Sequence, residues 1–409
     1  MLDIKFIREN VEVVKKSAIG KGFDINFLDE LLRLDKDRRT LLGEIETLNA
    51  ERKKNTDKEK GKEIKELLGK KETEFRLISE KFDDLMLRVP NLSADDVKIG
   101  SPEKNEVIKT VGEIPKFNFK PKDHVEIGQL TDILDIERGT KVAQSGFYYI
   151  KNDGVFLEQA LINFAIHKLV KKGFTVLITP NVAKEKNVVG CGYQARSEKE
   201  RQIYHIEGED LDLIGTAEIT LVGLHTDEII DGEKLPIKYA GISSCYRTEA
   251  GSYGKDVRGI LRVHEFRKVE MVVFCKPEDD LKIHNELLAI EEELWQELEI
   301  SYQVIKMASG DLGSAAARKY DIEAWMPSQN KYREVTSTSS TTDFQTRRLN
   351  IRTKIDGQNI FPYTLNGTVF ALGRAMIAIM ENYQKEDGSF EIPKVLKDFV
   401  GKKVIEIKK

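Results

Sequence analysis

Apolar residues recur with a heptad-like period along two stretches near the amino terminus. Alternating steps of four and three residues from Phe27 as far as Arg52 meet mostly apolar side chains, and the same steps connect Ile64 with Val89. A polar stretch separates the two seams. This period predicts two long helices that fold back on each other as an antiparallel coiled coil. We therefore expect a protruding helical hairpin over residues 27–89.

The rest of the chain mixes strand and helix patterns. Runs rich in Val, Ile and aromatic residues predict strands, and apolar spacing of three to four residues predicts helices. The predicted strands lie at 174–180, 235–244, 267–275 and 319–327, and the predicted helices at 156–174 and 281–300. Because the strands do not alternate regularly with helices, the pattern favours an α+β fold, an antiparallel β-sheet flanked by helices.

Proline marks a change in composition along the chain. The first proline is Pro90, and residues 91–123 hold Pro102, Pro115 and Pro121 among many lysines, without a clear period. We interpret this stretch as a linker. The sequence thus predicts an amino-terminal arm domain at 1–105 and a larger domain at 106–409.

Composition excludes several classes of protein. Lys and Arg total 65 and Asp and Glu total 69, a formal net charge of -4, so any nucleic-acid site must be local. Cys191, Cys245 and Cys275 form no CxxC pair and the histidines are scattered, which indicates neither disulfides nor zinc. A charged amino terminus, and no apolar run of about 18 residues, predict a cytoplasmic protein without a membrane span.

The local excess of positive charge lies between the two helical seams. Residues 52–65 hold seven basic and three acidic side chains. Two interpretations stay open on the residues alone: a solvated hairpin tip, or a tip that contacts phosphates. The basic residues are Arg52, Lys53, Lys54, Lys58, Lys60, Lys62 and Lys65.

A second group of cations surrounds glycines between residues 243 and 274. Guanidinium groups from two strands could hold an oligophosphate, and the ring of Phe266 offers a stacking face. A charged hairpin with surface arginines is the alternative. The cations are Arg247, Lys255, Arg258, Arg262 and Arg267, and the glycines are Gly251, Gly254 and Gly259.

Two further segments carry candidate chemistry. Glu334 precedes a run of hydroxyl residues, and a carboxylate with a hydroxyl suits magnesium that bridges phosphates, although a hydroxyl-rich strand is an equal alternative. Arg374 follows Gly373 at the start of an apolar helix. No G-x-x-x-x-G-K-[ST] motif occurs, and the G-x-G-x-x-A match at 190–195 lacks a surrounding βαβ unit.

These segments together resemble the bacterial-type seryl-tRNA synthetases, which are class II aminoacyl-tRNA synthetases, over nearly the whole chain. Residues 245–249 and 262–266 resemble class II motif 2, and residues 365–374 resemble motif 3. Residues 173–182 resemble motif 1, the dimer-interface element, and "GTAE" at 215–218 resembles the serine-binding motif. The helical hairpin resembles the tRNA-binding arm of that family.

The resemblance implies an enzyme that uses ATP and Mg²⁺ to form seryl-adenylate from L-serine and then charges tRNA(Ser) in translation, with tRNA(Sec) left open. It implies a homodimer that binds tRNA across its two subunits, with the basic residues of 52–65 on the tRNA. The implied catalytic residues are Arg247, Glu334 and Arg374. The implied serine site is Thr216, Ala217, Glu218, Arg247, Glu270, Asn366 and Thr368. The implied ATP site is Arg247, Thr248, Glu249, Arg262, Val263, Phe266, Glu334, Val335, Thr336, Ser337 and Arg374, with Glu334 and Ser337 as magnesium ligands.

The chain also departs from the family pattern. Thr368 stands where many members carry serine, residues 190–204 diverge, and the arm is shorter than in most bacterial members. Two alternatives remain at this point: a paralogue that loads an amino acid onto a carrier protein, and a non-catalytic RNA-binding homologue.

Overall fold

A computed structural model describes residues 1–193, 202–250 and 258–408. The chain divides into two compact units, Met1–Leu92 and Ser93–Lys409.

The first unit is helical and contains the predicted hairpin. Its two long helices are joined by a short turn, where Asp57 Oδ1 accepts a hydrogen bond from the backbone N–H of Glu59 (2.9 Å) and so caps the second helix. The helices are α1 (Ile4–Glu9), α2 (Val11–Gly20), α3 (Leu28–Lys54) and α4 (Lys58–Arg88). The prediction of a hairpin over 27–89 is confirmed.

The seam between α3 and α4 is densest away from the turn, where α1 and α2 pack against it. The buried cluster there is formed by Leu2, Ile7, Val14, Ala18, Ile25, Leu28, Leu31, Leu34, Phe82, Leu85, Met86 and Val89. Arg38 occupies a seam position, and its guanidinium lies 4.0 Å from the centroid of the Phe82 ring. Its Nε donates to Ser79 Oγ (3.1 Å). The seam therefore continues through a polar residue by cation–π contact.

The second unit holds the remaining elements. Its helices are α5 (His124–Leu130), α6 (Ile136–Ala143), α7 (Asp153–Lys171), α8 (Glu185–Gly190), α9 (Ala217–Gly223), α10 (Asp280–Glu297), α11 (Phe344–Arg348), α12 (Leu372–Asn382) and α13 (Lys397–Val400). Its strands are β1 (Glu106–Val111), β2 (Leu134–Asp135), β3 (Tyr149–Ile150), β4 (Thr175–Ile178), β5 (Val182–Ala183), β6 (Asp212–Leu213), β7 (Ile229–Asp231), β8 (Ile237–Tyr246), β9 (Glu265–Cys275), β10 (Tyr302–Lys306), β11 (Arg318–Met326), β12 (Lys331–Thr342), β13 (Arg352–Ile355), β14 (Gln358–Ile360), β15 (Tyr363–Ala371), β16 (Phe390–Glu391) and β17 (Val404–Ile405).

The largest sheet among the described residues has eight strands in the order β1-β10-β11-β12-β15-β9-β8-β4. Neighbouring strands are antiparallel throughout, except that β4 pairs parallel with β8 at one edge. The predicted α+β fold with a mainly antiparallel sheet is confirmed, as are the predicted strands β4, β8, β9 and β11 and the helices α7 and α10.

Alternation along β9 shows how the two faces of this sheet differ. Val269, Met271 and Val273 point into a large apolar core that α7, α10 and α12 cover. On the other face, Val272 and Phe274 pack with α9. Helix α9 can lie this close because Gly241 on β8 has no side chain; a Cβ there would meet the Ala217 side chain at 2.9 Å.

The linker prediction is wrong for residues 106–111. They form β1, which pairs antiparallel with β10 at the sheet edge. Most of its side chains are exposed on both faces, so the period-two pattern of a half-buried strand is absent. Residues before it also bond to this unit: Ala94 N donates to Ala317 O (2.9 Å), and Asn105 Oδ1 accepts from Ala308 N (2.8 Å). The boundary predicted after residue 105 thus falls inside the second unit.

None of the helices in the described ranges has both the length and the apolar character that crossing a membrane requires.

Candidate active site

A cavity of 380 Å³ lies beside α9, on the face of the sheet that carries this helix. Its walls come from β9, β12 and β15, from the chain that enters β9, and from the start of α12. Fourteen of the predicted site residues line it: Glu218, Arg247, Glu249, Arg262, Val263, Phe266, Glu270, Glu334, Val335, Thr336, Ser337, Asn366, Thr368 and Arg374.

One end of the cavity is built around the buried carboxylate of Glu218. Its Oε1 accepts hydrogen bonds from Asn366 Nδ2 and from Gln345 Nε2, both at 2.7 Å, and its Oε2 accepts from Tyr193 OH at 2.9 Å. Burial raises the pKa of Glu218, and the nearby charge of Glu270 adds to that rise. Three donors therefore fix the orientation of an acidic group that is expensive to ionise.

Thr216 and Ala217 do not line the cavity. Thr216 is the N-cap of α9, and its hydroxyl accepts from the backbone N–H of Glu218 (3.2 Å). Ala217 packs against Gly241. The two residues set the start of α9, and in this structure they act on the cavity by placing Glu218.

A row of side chains along β9 connects the two ends of the cavity. Phe266, Lys268 and Glu270 are two residues apart, so they point to the same face and span about 13 Å of strand. Lys268 forms a salt bridge with Glu270 and donates to Thr368 Oγ1 (3.3 Å) on the neighbouring strand β15. Sequence reasoning missed Lys268, although its place between Phe266 and Glu270 in a predicted strand was the signal that could have found it.

The other end of the cavity gathers aromatic and cationic groups. The Arg247 guanidinium lies 5.3 Å from the centroid of the Phe266 ring, and its Nε donates to Gly215 O (3.3 Å). Arg262 Nη1 donates to Glu249 Oε2 (2.6 Å). Thr248, also predicted for the ATP site, does not line the cavity; its hydroxyl accepts from Ala250 N (3.4 Å).

Arg374 and Glu334 meet at this end as well. Arg374 Nη1 donates to the backbone oxygen of Glu334 (3.0 Å) and lies 3.3 Å from Glu334 Oε2. Desolvation acts to raise the pKa of Glu334, but the charges of Arg374, Lys319 and Arg247 outweigh it and lower the pKa. The carboxylate is therefore charged at neutral pH, and its side chain is 47% exposed to the cavity.

A β-bulge places Glu334 and Ser337 on the same face. Residues three apart on a regular strand point to opposite faces. On β12, however, Thr336 pairs with Ile322 while Glu334 pairs with Glu323, so Val335 is an extra residue. An ionised carboxylate and a hydroxyl on one side of β12 are hard oxygen donors, and they fit a magnesium ion.

Sequence reasoning missed several other cavity residues and their neighbours. Tyr193 and Gln345 hold Glu218, and Lys319 lies 3.3 Å from the buried carboxylate of Asp321. Two candidate segments fall partly outside the described residues. Residues 194–201 of the divergent loop and residues 251–257, which contain Lys255 and two of the glycines, belong to that part of the chain.

Comparison with known proteins identifies the family. Residues 1–58 match the seryl-tRNA synthetase N-terminal domain, and residues 200–383 match the tRNA synthetase class II core domain (G, H, P, S and T). The serine–tRNA ligase of Borrelia garinii subsp. bavariensis is 49% identical over 420 residues, which cover 98% of each chain. The chain belongs to the seryl-tRNA synthetase family. A second family member, from Dictyoglomus thermophilum, is 46% identical over the whole of both chains.

Solved seryl-tRNA synthetases share the fold. The enzyme from Pyrococcus horikoshii, in complex with ATP, superposes with a TM-score of 0.93 at 41% identity over all of both chains. The cytoplasmic enzyme from Naegleria fowleri, in complex with AMP, gives a TM-score of 0.89 at 32% identity, over 100% of this chain and 99% of that one. The family predicted from the sequence is confirmed, and the chain is an aminoacyl-tRNA ligase of class II.

Proposed function

We propose that this protein activates L-serine with ATP as seryl-adenylate and transfers the seryl group to tRNA(Ser). One observation carries the proposal: a single cavity holds hydrogen-bonded carboxylates beside Thr368 at one end and Phe266 beside the Arg247 guanidinium at the other. The first end suits an amino acid with an ammonium and a hydroxyl, and the second suits adenine and phosphates. Membership of the seryl-tRNA synthetase family supports the same assignment.

Serine recognition rests on acceptors. Glu218 and Glu270 offer carboxylate oxygens to the ammonium and hydroxyl of serine, and Asn366 and Thr368 complete the wall. A buried site built to pair with a hydroxyl rejects an amino acid without one, because its own polar groups are then left unpaired.

Adenylate formation needs positioning and charge, without a side-chain nucleophile. A serine carboxylate oxygen attacks the α-phosphorus of ATP, the bond to the bridging oxygen of the β-phosphate breaks, and pyrophosphate leaves. Arg247 and Arg374 stabilise the negative charge that develops, and both guanidiniums already donate to backbone carbonyls that orient them.

Glu334 and Ser337 would hold magnesium, which supplies positive charge to the phosphates when bound.

In the second step a terminal hydroxyl of the tRNA attacks the carbonyl carbon of the adenylate, the bond to the phosphate oxygen breaks, and AMP leaves. Thr248 and Val335 remain predicted ATP contacts through their position next to Arg247 and Glu334.

The test is amino-acid-dependent exchange of pyrophosphate into ATP, measured for each standard amino acid with and without magnesium and followed by charging of tRNA(Ser) and tRNA(Sec). Exchange with serine plus charging of tRNA(Ser) is expected. Exchange without charging would favour a paralogue that loads a carrier protein. No exchange with any amino acid would favour a non-catalytic homologue.

We assign tRNA contact to the first unit, Met1–Leu92, and the chemistry to the second unit, Ser93–Lys409. The seven basic residues of 52–65 are all exposed. Arg52, Lys53 and Lys54 end α3, where cations favour the helix, but Lys58 and Lys60 begin α4, where they oppose its dipole. Helix stability therefore does not account for the cations at the start of α4, and contact with a polyanion would account for them.

We also propose that two copies pair through the β4 edge, so that tRNA bound across the dimer reaches both subunits. Strand β4 ends the sheet, and Ile178 on it is 86% exposed. Phe156, on the helix α7 that packs against β4, is 58% exposed. Exposed apolar side chains at a sheet edge are typical of an interface.

Ile178→Asp should therefore convert the protein from dimer to monomer, because the carboxylate would lose its hydration at the contact. Sedimentation velocity measures the change. Leu281→Asp, at an apolar position on α10 that is also more than half exposed (53%), is the control and should leave the dimer intact. A monomeric wild-type protein would contradict the proposal.

A further inference from the structure

Lys268 is a buried cation inside the serine end of the cavity, and only 5% of it is exposed. It lies between Phe266 and Glu270 on β9, facing the cavity. A buried lysine is uncommon unless it is paired, so its contacts indicate what holds it there.

The contacts of Lys268 fix the direction of a chain of hydrogen bonds. A lysine ammonium has donors and no acceptor, so the hydrogen shared with Thr368 Oγ1 (3.3 Å) belongs to Lys268. The Thr368 hydroxyl then donates its own hydrogen bond to Glu270 Oε2 (3.1 Å). Lys268 also forms a salt bridge with that same oxygen. The side chains of Lys268, Thr368 and Glu270 thus fix one another's orientation.

The backbone beside this chain is also fixed. The hydroxyl of Thr336 on β12 donates to the backbone oxygen of Thr368. This hydrogen bond fixes the main chain of Thr368, so its hydroxyl group can still rotate. The hydrogen bond from Lys268 removes that rotation.

This arrangement leaves acceptors for the substrate. Thr368 keeps one lone pair, and Glu270 Oε1 accepts no hydrogen bond within the part of the chain that the structure describes. Burial and the charge of Glu270 raise the pKa of Glu218, and the charge of Lys268 opposes that rise. A ligand that brings donors, as the hydroxyl and ammonium of serine do, satisfies these groups.

Resting on the proposed function, we infer that Lys268 is a positioning residue that determines serine specificity by turning Thr368 and Glu270 into acceptors only. An amino acid without a side-chain donor leaves both groups unpaired and is rejected. Without Lys268, the Thr368 hydroxyl can turn its proton toward the substrate, and the site no longer requires a donor.

The experiment compares Lys268→Met with the wild type in serine-dependent and alanine-dependent pyrophosphate exchange. For Lys268→Met we expect kcat/KM for serine to fall roughly ten- to hundred-fold, because the variant lacks a buried charged hydrogen bond. The KM for ATP should stay within about two-fold, and the ratio of serine to alanine activity should fall. Lys268→Arg, which keeps a charged donor without an acceptor, should recover much of the serine activity.

Lys238→Met is the matched control. Lys238 lies on the neighbouring strand β8 and is mostly buried, and it pairs with Glu286 away from the cavity (2.5 Å). Lys238→Met should leave the KM for serine and the KM for ATP unchanged. If Lys268→Met gives no cooperative thermal unfolding, Lys268→Gln replaces it, and a lower kcat/KM for serine with a normal KM for ATP is again expected.

Three results would overturn the inference: a wild-type kcat/KM for serine in Lys268→Met, an unchanged ratio of serine to alanine activity, or the same serine defect in Lys238→Met. Loss of the proposed function is distinguishable, because then the wild type itself shows no serine-dependent exchange.

Discussion

Two guanidinium groups at the cavity are oriented before any substrate arrives. Arg247 donates to Gly215 O and stacks near Phe266, while Arg374 donates to the backbone of Glu334. Because a charged donor held in place by the fold needs no reorganisation when charge develops on a phosphate, such groups act mainly on the transition state.

Arg247→Ala should lower serine-dependent pyrophosphate exchange by about 10²- to 10³-fold, because it removes a preorganised donor. The midpoint of thermal unfolding should change little. Arg267→Ala is the control, since Arg267 is half exposed and pairs with Glu158 outside the cavity (2.7 Å). A normal exchange rate in Arg247→Ala, or an equal decrease in Arg267→Ala, would refute the assigned role.

A buried histidine makes stability depend on pH. His284 on α10 is fully buried, and burial lowers its pKa from 6.5 to about 4. Between these values the unfolded chain binds the proton and the folded chain does not, so stability falls as pH falls through that window. The full effect is about 3 kcal/mol, from about 1.4 kcal/mol per pKa unit.

His284→Leu should therefore flatten the decline of unfolding free energy between pH 6.5 and 4, measured by urea denaturation. His167→Leu, at an exposed position on α7, should keep the wild-type slope. Equal slopes in wild type and His284→Leu would show that other groups cause the decline.

At the scale of elements, hydrophobic periodicity predicts the helices and strands that have one buried face. It fails for a strand whose two faces are both exposed. The hairpin and strands such as β9 follow from spacing, because one face of each is apolar. Strand β1 resembles a linker in sequence because both of its faces are exposed. The bulge at Val335 leaves no periodic trace, so the shared face of Glu334 and Ser337 follows from family resemblance and then from pairing register.

The site residues also divide into those that the sequence predicts and those that only the fold shows. Arg247, Glu334 and Arg374 could be predicted because the family motifs contain them, and the cavity brings them together. Gln345 reaches Glu218 from α11, far away in sequence, and only the fold shows this contact (2.7 Å). Lys268 could have been predicted from the alternation of side chains along the strand, since it shares a strand face with Glu270.

The hairpin offers a test at this scale. Arg38→Ala should lower the local stability of α3 and α4 by about 1–2 kcal/mol, since it removes the stacking on Phe82 and the aliphatic packing of the side chain. Hydrogen exchange of the helix amides measures it. Arg33→Ala, on the exposed side of α3 with a 3.8 Å pair to Glu30, should have little effect. Unchanged exchange in Arg38→Ala would contradict the cation–π account.

At the scale of the whole molecule, adenylation and tRNA contact are assigned to different units. Among the described residues, those that line the cavity belong to the second unit, and the seven exposed cations of 52–65 lie on the first. Changes at the hairpin turn should therefore affect one step and spare the other.

Replacing all seven basic residues of 52–65 by Gln should weaken tRNA charging and leave pyrophosphate exchange intact. The dependence of tRNA affinity on salt should also decrease, by about 0.7–0.9 in the log–log slope for each phosphate that the variant no longer neutralises. The control replaces Lys5, Lys16 and Lys36, which are exposed in the same unit away from the turn. A parallel decrease of exchange and charging would count against separate roles.

The separate apolar cores of the two units have a further consequence for variation within the family. The cluster around Leu31 and Phe82 belongs to the hairpin unit, and the cluster around Met271 belongs to the sheet unit. Insertions, deletions and charge changes in the hairpin can accumulate without repacking the cluster beneath the adenylating face. On the proposed function, recognition of tRNA and selection of serine can then change almost independently during evolution, and a lineage can shorten its arm without losing its selectivity for serine.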